Sequence, residues 1–230
     1  VLPPPPDQFK IGFPRTDIIE QREDFIEYAE ERGAYVAGAS SVQGEAPKYM
    51  LVEDIKGMFH AEGALPDDQI KQFWLVKFPR GRRAEERNHQ VLRNEAPYHE
   101  VARKFGARVA DPLVYDGGAL FVPRFDRKVI NGHVQRLGMQ SLYAIAGIPG
   151  YGASVRHDVY CRAIAKVINT LEIGIREYIL RDILNLALLN TDNHGRNTAV
   201  LRNGDQITLS PLFDFAPMFL DPEGIGRVSR

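Results

Sequence analysis

Apolar positions follow one rhythm in the first half of the chain and another in the second. Ile18, Ile19, Phe25, Ile26 and Ala29 recur at helical spacing, with Asp17 and Glu20 at capping-box distance and Gly33 as a stop, which predicts one helix here. Residues 38–47 are small, polar and rich in breakers, and predict a loop. Short apolar runs at 48–52, 58–61 and 73–78 predict strands, with Gly57 and residues 63–68 supplying the turns. A second helix is expected over 94–106, with Asn94 as N-cap and Pro97 in the first turn, where its missing N–H costs little. Residues 109–115 and 119–125 flank Gly117-Gly118 and predict a hairpin. Farther on, the segments 155–170 and 173–190 carry apolar residues at a period near 3.6 and predict two helices. Two short strands, 198–201 and 206–209, follow, joined through Asn203-Gly204, a type I′ turn signal. The order predicts an α+β protein of two lobes: a β-rich N-lobe over 1–125, a connector near 124–126, and a mainly helical C-lobe over 126–230. A ligand cleft is expected at the connector.

Composition narrows the class. Hydrophobic residues make up 44% of the 230 positions and charged residues 26%, enough to bury a core. A single cysteine, Cys161, excludes an internal disulfide framework and a cysteine-based zinc cage, and points to a reducing, cytoplasmic setting. No apolar run is long enough to span a bilayer, so no membrane role is expected. The net charge of −1 supplies no global field for nucleic acid, and direct nucleic-acid binding is not predicted. Charge is nevertheless uneven: residues 1–76 hold 7 Lys/Arg against 14 Asp/Glu, whereas 77–108 hold 9 against 4. That basic block has few aromatics interleaved and reads as a solvated face rather than a base-stacking platform.

The densest chemistry lies in Asn190-Thr191-Asp192-Asn193-His194-Gly195-Arg196-Asn197, after the last predicted helix, and in Phe213-Asp214, after the last predicted hairpin. An acid, an amide five residues on, and a second acid beyond a β-hairpin meet the needs of phosphoryl transfer. Asp192 would orient or deprotonate the attacking hydroxyl, while Asn197 and Asp214 would hold Mg2+, which prefers hard oxygen ligands. Asn/Asp/Gly turn chemistry is the competing account of the cluster. His194 has no second His or Cys nearby, so zinc is not expected; it reads as a buried hydrogen-bonding brace of the loop, with general-base chemistry as the alternative. Lys77 interrupts an apolar strand, and a buried ammonium needs an anion; the alternatives are a phosphate anchor and an edge-strand lysine facing solvent. Glu95 on the following helix is its candidate partner, with Glu86 and Glu100 as rivals. Ser41 to Lys48 would form a phosphate-covering loop, in which Gly44 gives the backbone room to form an anion nest.

Taken together, Ser41-x-x-Gly44 with Pro47-Lys48, Val76-Lys77, Asn94-Glu95, Arg124-Phe125-Asp126-Arg127, Asp192-x-His194-x-x-Asn197 and Leu212-Phe213-Asp214 resemble the HipA family. These are serine/threonine kinase toxins of bacterial toxin–antitoxin modules, and the resemblance spans residues 41–214. It implies a protein-kinase-like fold using ATP and Mg2+. It implies Lys77 on the ATP phosphates, Phe125 and the backbone at Pro123 on adenine, and Asp126 near the nucleotide. Asp192 would be the catalytic acid/base, Asn197 and Asp214 the metal residues, and Ser41 the loop serine that relatives autophosphorylate. A protein substrate of the translation-factor or aminoacyl-tRNA synthetase kind and a DNA-binding antitoxin partner follow by the same resemblance. Two alternatives share the residues: a small-molecule or lipid kinase, and an inactive kinase-like scaffold that binds an antitoxin or repressor. Pro123 replaces an acidic hinge residue of some relatives, and the chain stops soon after Asp214, where relatives continue, so a truncated C-lobe is expected.

Overall fold

The structure is a computed structural model that describes residues 12–34, 47–79, 86–149 and 153–221. It divides into two compact units, one formed by 1–92 with 113–136 and the other by 93–112 with 137–230. The chain thus passes between them more than once, where the sequence suggested a single boundary at residue 125.

The first unit is built on an antiparallel sheet. Its strands are β1 (Lys48–Asp54), β2 (Phe59–Ala61), β3 (Ile70–Lys77), β4 (Val114–Asp116) and β5 (Ala119–Pro123), in the order β2-β1-β3-β5-β4. Alternation along β1 and β3 sends Tyr49, Leu51, Trp74 and Val76 into one core with Phe13, Ile18, Phe25, Tyr28 and Phe121. The same alternation sends Val52 and Phe73 into a second cluster, closed by Val129 and Val134. These valines come from a hairpin of β6 (Arg127–Ile130) and β7 (His133–Arg136), which the sequence reading missed. Its turn is Asn131-Gly132, both residues at positive φ (50° and 74°), the I′ pattern. Gly117-Gly118 turns as predicted, at φ 54° and 93°; a Cβ on Gly117 would meet Ile19 Cγ2 at 2.4 Å.

The expected first helix is two. Phe13 bridges to Phe59, and Pro14 then starts α1 (Arg15–Ile19) directly. Gln21 at φ 49° breaks the run before α2 (Glu23–Glu31). Asp17 therefore lies inside α1 and makes no capping box; it pairs with Arg22 at 3.4 Å.

The helix expected at 94–106 is also corrected. Its counterpart, α3 (Glu86–Lys104), begins eight residues earlier, so Asn94 caps nothing and Pro97 sits inside the helix. An interior proline forfeits one backbone hydrogen bond. The helix persists because Leu92, Glu95, His99 and Ala102 are buried at helical spacing on one face.

The second unit is mainly helical. It holds β8 (Gly138–Ser141), α4 (Leu142–Ala146), α5 (His157–Val167), α6 (Leu171–Ala187), β9 (Ala199–Asn203) and β10 (Gln206–Leu209), with a small sheet in the order β10-β9-β8. The β9–β10 turn residues are Gly204-Asp205, one position later than expected, and positive φ occurs at Gly204 alone, a II′ sign pattern. One core packs Leu142, Tyr143, Tyr160, Ile164 and Tyr178 together, and another packs Tyr98, Ala102 and Ala107 against Leu184, Leu212 and Phe215. Among the described residues no helix is long and apolar enough to cross a membrane.

Candidate active site

The sequence-predicted acid–amide–acid set comes together within the second unit. At the end of α6, Leu189 takes a left-handed backbone (φ 54°), unusual for a branched residue and the point where the chain leaves the helix. Asn190 fixes the exit twice, through its N–H to the Asn185 carbonyl (2.9 Å) and its amide to Asn185 Oδ1 (2.9 Å). The loop then presses on the aromatic core: Gly195 O accepts from Tyr143 N, and a Cβ on Gly195 would come within 2.4 Å of the Tyr143 ring. Only glycine allows that approach. After β10, Ser210 N donates to Ala199 O (2.8 Å) and Leu212 N to Arg108 O (2.7 Å), and the segment delivers Asp214 at φ 51°. Two non-glycine residues at positive φ flanking one loop system mark stored backbone strain of the kind found at functional sites.

Asp192, Asn197 and Asp214 line one small cavity of about 20 Å³. The Asn197 amide nitrogen donates to both the Asp192 carbonyl (2.8 Å) and Asp192 Oδ2 (3.2 Å). With its nitrogen committed there, its oxygen is the atom left to act as a ligand. His194 is buried, with Nε2 at 3.4 Å from Asp192 Oδ1 and its ring against Tyr143, the position of a loop brace. Burial raises the Asp192 carboxyl above its ordinary range, and the neighbouring Asp214 and Asp221 carboxylates push the same way. His194 and the Asn197 hydrogen bond oppose that shift. The site thus offers carboxylate and amide oxygens and no thiolate, a donor set that fits Mg2+.

The nucleotide-side positions are distributed as follows. Lys77 is buried at the end of β3, the central strand, opposite Lys48 and Leu120, so the edge-strand, solvent-facing alternative is set aside. Of the three rival acids on α3, Glu95 is buried while Glu86 and Glu100 are exposed. Pro123 ends β5, buried, and Phe125 is half-buried after it. Asp126 is held by Arg124, through Nε to Oδ1 (2.9 Å) and Nη2 to Oδ2 (2.5 Å); Arg124 and Arg127 both also meet Glu62. Ser41 and Gly44, and with them the expected phosphate loop, lie outside the described residues, as do Arg80, Arg82 and Arg83 of the basic block.

Sequence reasoning missed the polar frame beneath the loop. Arg181, fully buried on α6, grips Glu177, and Asp182 meets both Asn193 (3.4 Å) and His157 (3.3 Å). Arg181 stands beside Asp182 and four residues after Glu177, the spacing of an ordinary surface pair on a helix, so nothing in the sequence marks it as buried; the pairing of His157 with Asp182, 25 residues on, leaves no sequence signal either.

The family model for the HipA-like C-terminal domain matches residues 40–227. Among solved structures, the chain is similar to HipA of Shewanella oneidensis MR-1, solved with HipB and operator DNA, at TM-score 0.61 and 23% identity, over 85% of this chain and 49% of that one. It also matches the Helicobacter pylori proinflammatory kinase CtkA, at TM-score 0.49 and 15% identity, over 64% of this chain and 52% of that one. No curated protein matches the chain. The chain therefore spans about half the length of the solved proteins it resembles.

Proposed function

The chain belongs to the HipA-like C-terminal domain family, and we propose that it carries the ATP- and Mg2+-dependent phosphoryl-transfer site of a serine/threonine protein kinase. The observation that carries this reading is the meeting of Asp192, Asn197 and Asp214 around one cavity, with the Asn197 nitrogen turned onto Asp192. Asp192 accepts the proton of the attacking hydroxyl or aligns it; its raised proton affinity suits that work. Asn197 Oδ1 and the Asp214 carboxylate are the residues that would hold Mg2+. When bound, the ion would neutralise charge on the transferring phosphate. His194 keeps the loop in shape and shares the Asp192 carboxylate.

Lys77 is proposed to bind the nucleotide phosphates, supported by its burial on the central strand, and Glu95 is kept as the acidic member of the same nucleotide set. Pro123, Phe125 and Asp126 are proposed for the adenine side, Ser41 as a serine the protein phosphorylates on itself, and Gly44 as part of the phosphate loop. The acceptor is proposed to be a protein hydroxyl, with an aminoacyl-tRNA synthetase as one such substrate. The Shewanella relative was solved with HipB and operator DNA, and a DNA-binding antitoxin is proposed as partner here on that likeness.

Transfer of labelled γ-phosphate to the protein itself and to a lysate tests the reading. Asp192→Ala and Asp214→Ala are each expected to lower the rate by about 100-fold or more, and EDTA to abolish it. Wild-type rates in both variants would remove the mechanism. Intact-mass measurement of one added phosphate, lost in Ser41→Ala, tests the self-modification.

A further inference from the structure

Arg181 heads the fully buried side chains of the described residues by volume, at 2% exposure, and the phosphoryl-transfer chemistry does not use it. Its Nε and Nη2 both donate to Glu177 Oε1 (2.8 and 2.7 Å), and Nη2 also donates to the Ser210 carbonyl (2.6 Å). The same Glu177 oxygen accepts the backbone N–H of Arg108 (3.0 Å), and the Arg108 carbonyl accepts Leu212 N–H (2.7 Å). Val109 and Leu212 form a parallel bridge alongside. The ion pair thus holds the backbone on both sides of Pro211, directly at Ser210 and through Arg108 at Leu212. Two residues beyond Leu212 the chain places Asp214 at φ 51° on the cavity that Arg181 also lines.

A buried ion pair is poor support for stability, because well-packed apolar residues often serve as well or better. What apolar residues cannot do is bind a backbone carbonyl on one side and a backbone N–H on the other. We propose that Arg181 and Glu177 are a positioning pair that sets residues 210–214 and, through them, the carboxylate of Asp214. The proposal rests on the phosphoryl-transfer reading for what Asp214 does, and on hydrogen bonds alone for how it is held.

The test is the double variant Arg181→Met/Glu177→Leu in the full chain, which removes the clamp without stranding a buried charge. Its melting temperature is expected within about 5 °C of wild type. Amide exchange at Leu212 is expected to quicken at least about tenfold, while Thr208 in β10 keeps its wild-type rate. The transfer rate at saturating Mg-ATP should fall at least about tenfold, with the KM for ATP changed less than about threefold. If the double variant does not fold, Arg181→Lys, which keeps the charge but loses the fork, is expected to show the same exchange change. Unchanged Leu212 exchange in a folded variant overturns the proposal, as does quickened exchange with an unchanged transfer rate. A wild-type chain that transfers no phosphate defeats the kinase reading instead, and the exchange measurement then still decides whether the clamp exists.

Discussion

Asp192, the proposed acid/base of the site, is a residue whose burial works against the fold. Its folded-state carboxyl holds its proton above the ordinary value of 3.8, so the native state favours the protonated form. The stability Asp192 contributes is therefore complete below about pH 3.8 and is lost as the pH rises through the folded value. At neutral pH the ionised carboxylate works against folding. Asp192→Asn is accordingly expected to raise the melting temperature at pH 7 in EDTA, with the gain shrinking on acidification, while phosphoryl transfer is lost. A variant that melts below wild type at pH 7, in a differential scanning experiment, contradicts this. At this scale the sequence was most legible where spacing carries the chemistry: Asp192, Asn197 and Asp214 lie near one another in the chain and converge in the fold. Arg181 was not assigned, because only Glu177 lies at a helical interval from it on α6, while Ser210, and Arg108 on the far side of Glu177, are brought in from distant parts of the chain.

The sheet strands β1, β3 and β5 and the glycine turn before β5 were legible, whereas the β6–β7 hairpin and the starts of the first helices were not. Gly117-Gly118 was legible because a two-residue turn with both φ values positive tolerates few residues. Gly117→Ala adds a left-handed non-glycine residue and a methyl 2.4 Å from Ile19 Cγ2; a loss of about 1–3 kcal/mol is expected in urea unfolding, with the slope unchanged. The helices failed the reading where tertiary contacts overrode local signals. The Phe13–Phe59 bridge moved the first helix start, and the buried stripe of Leu92, Glu95, His99 and Ala102 carried α3 past its proline. Neither contact partner is local in the chain.

The molecule as a whole is two units threaded through each other's sequence, which no local pattern announces. Residues 93–112 belong with the helical unit, where Tyr98, Ala102 and Ala107 fill the cluster around Leu184, Leu212 and Phe215. A fragment of residues 126–230 lacks them and strips the core beneath Leu212, two residues before Asp214. It is expected to melt without a cooperative transition by near-ultraviolet circular dichroism, whereas the full chain melts cooperatively. A sharp transition in the fragment would show that the helical unit stands without that segment.

The same division gives the protein a selective optical probe. Trp74, the sole tryptophan, is buried in the β-rich unit with its indole N–H on Glu53 Oε2 at 3.0 Å and its ring edge-on to Phe121. Its emission reports the unfolding of the sheet. Ellipticity at helical wavelengths is weighted instead toward the long helices α3, α5 and α6. Recording both signals across one denaturant series therefore reveals, without any label, whether the sheet and the helices let go at the same concentration.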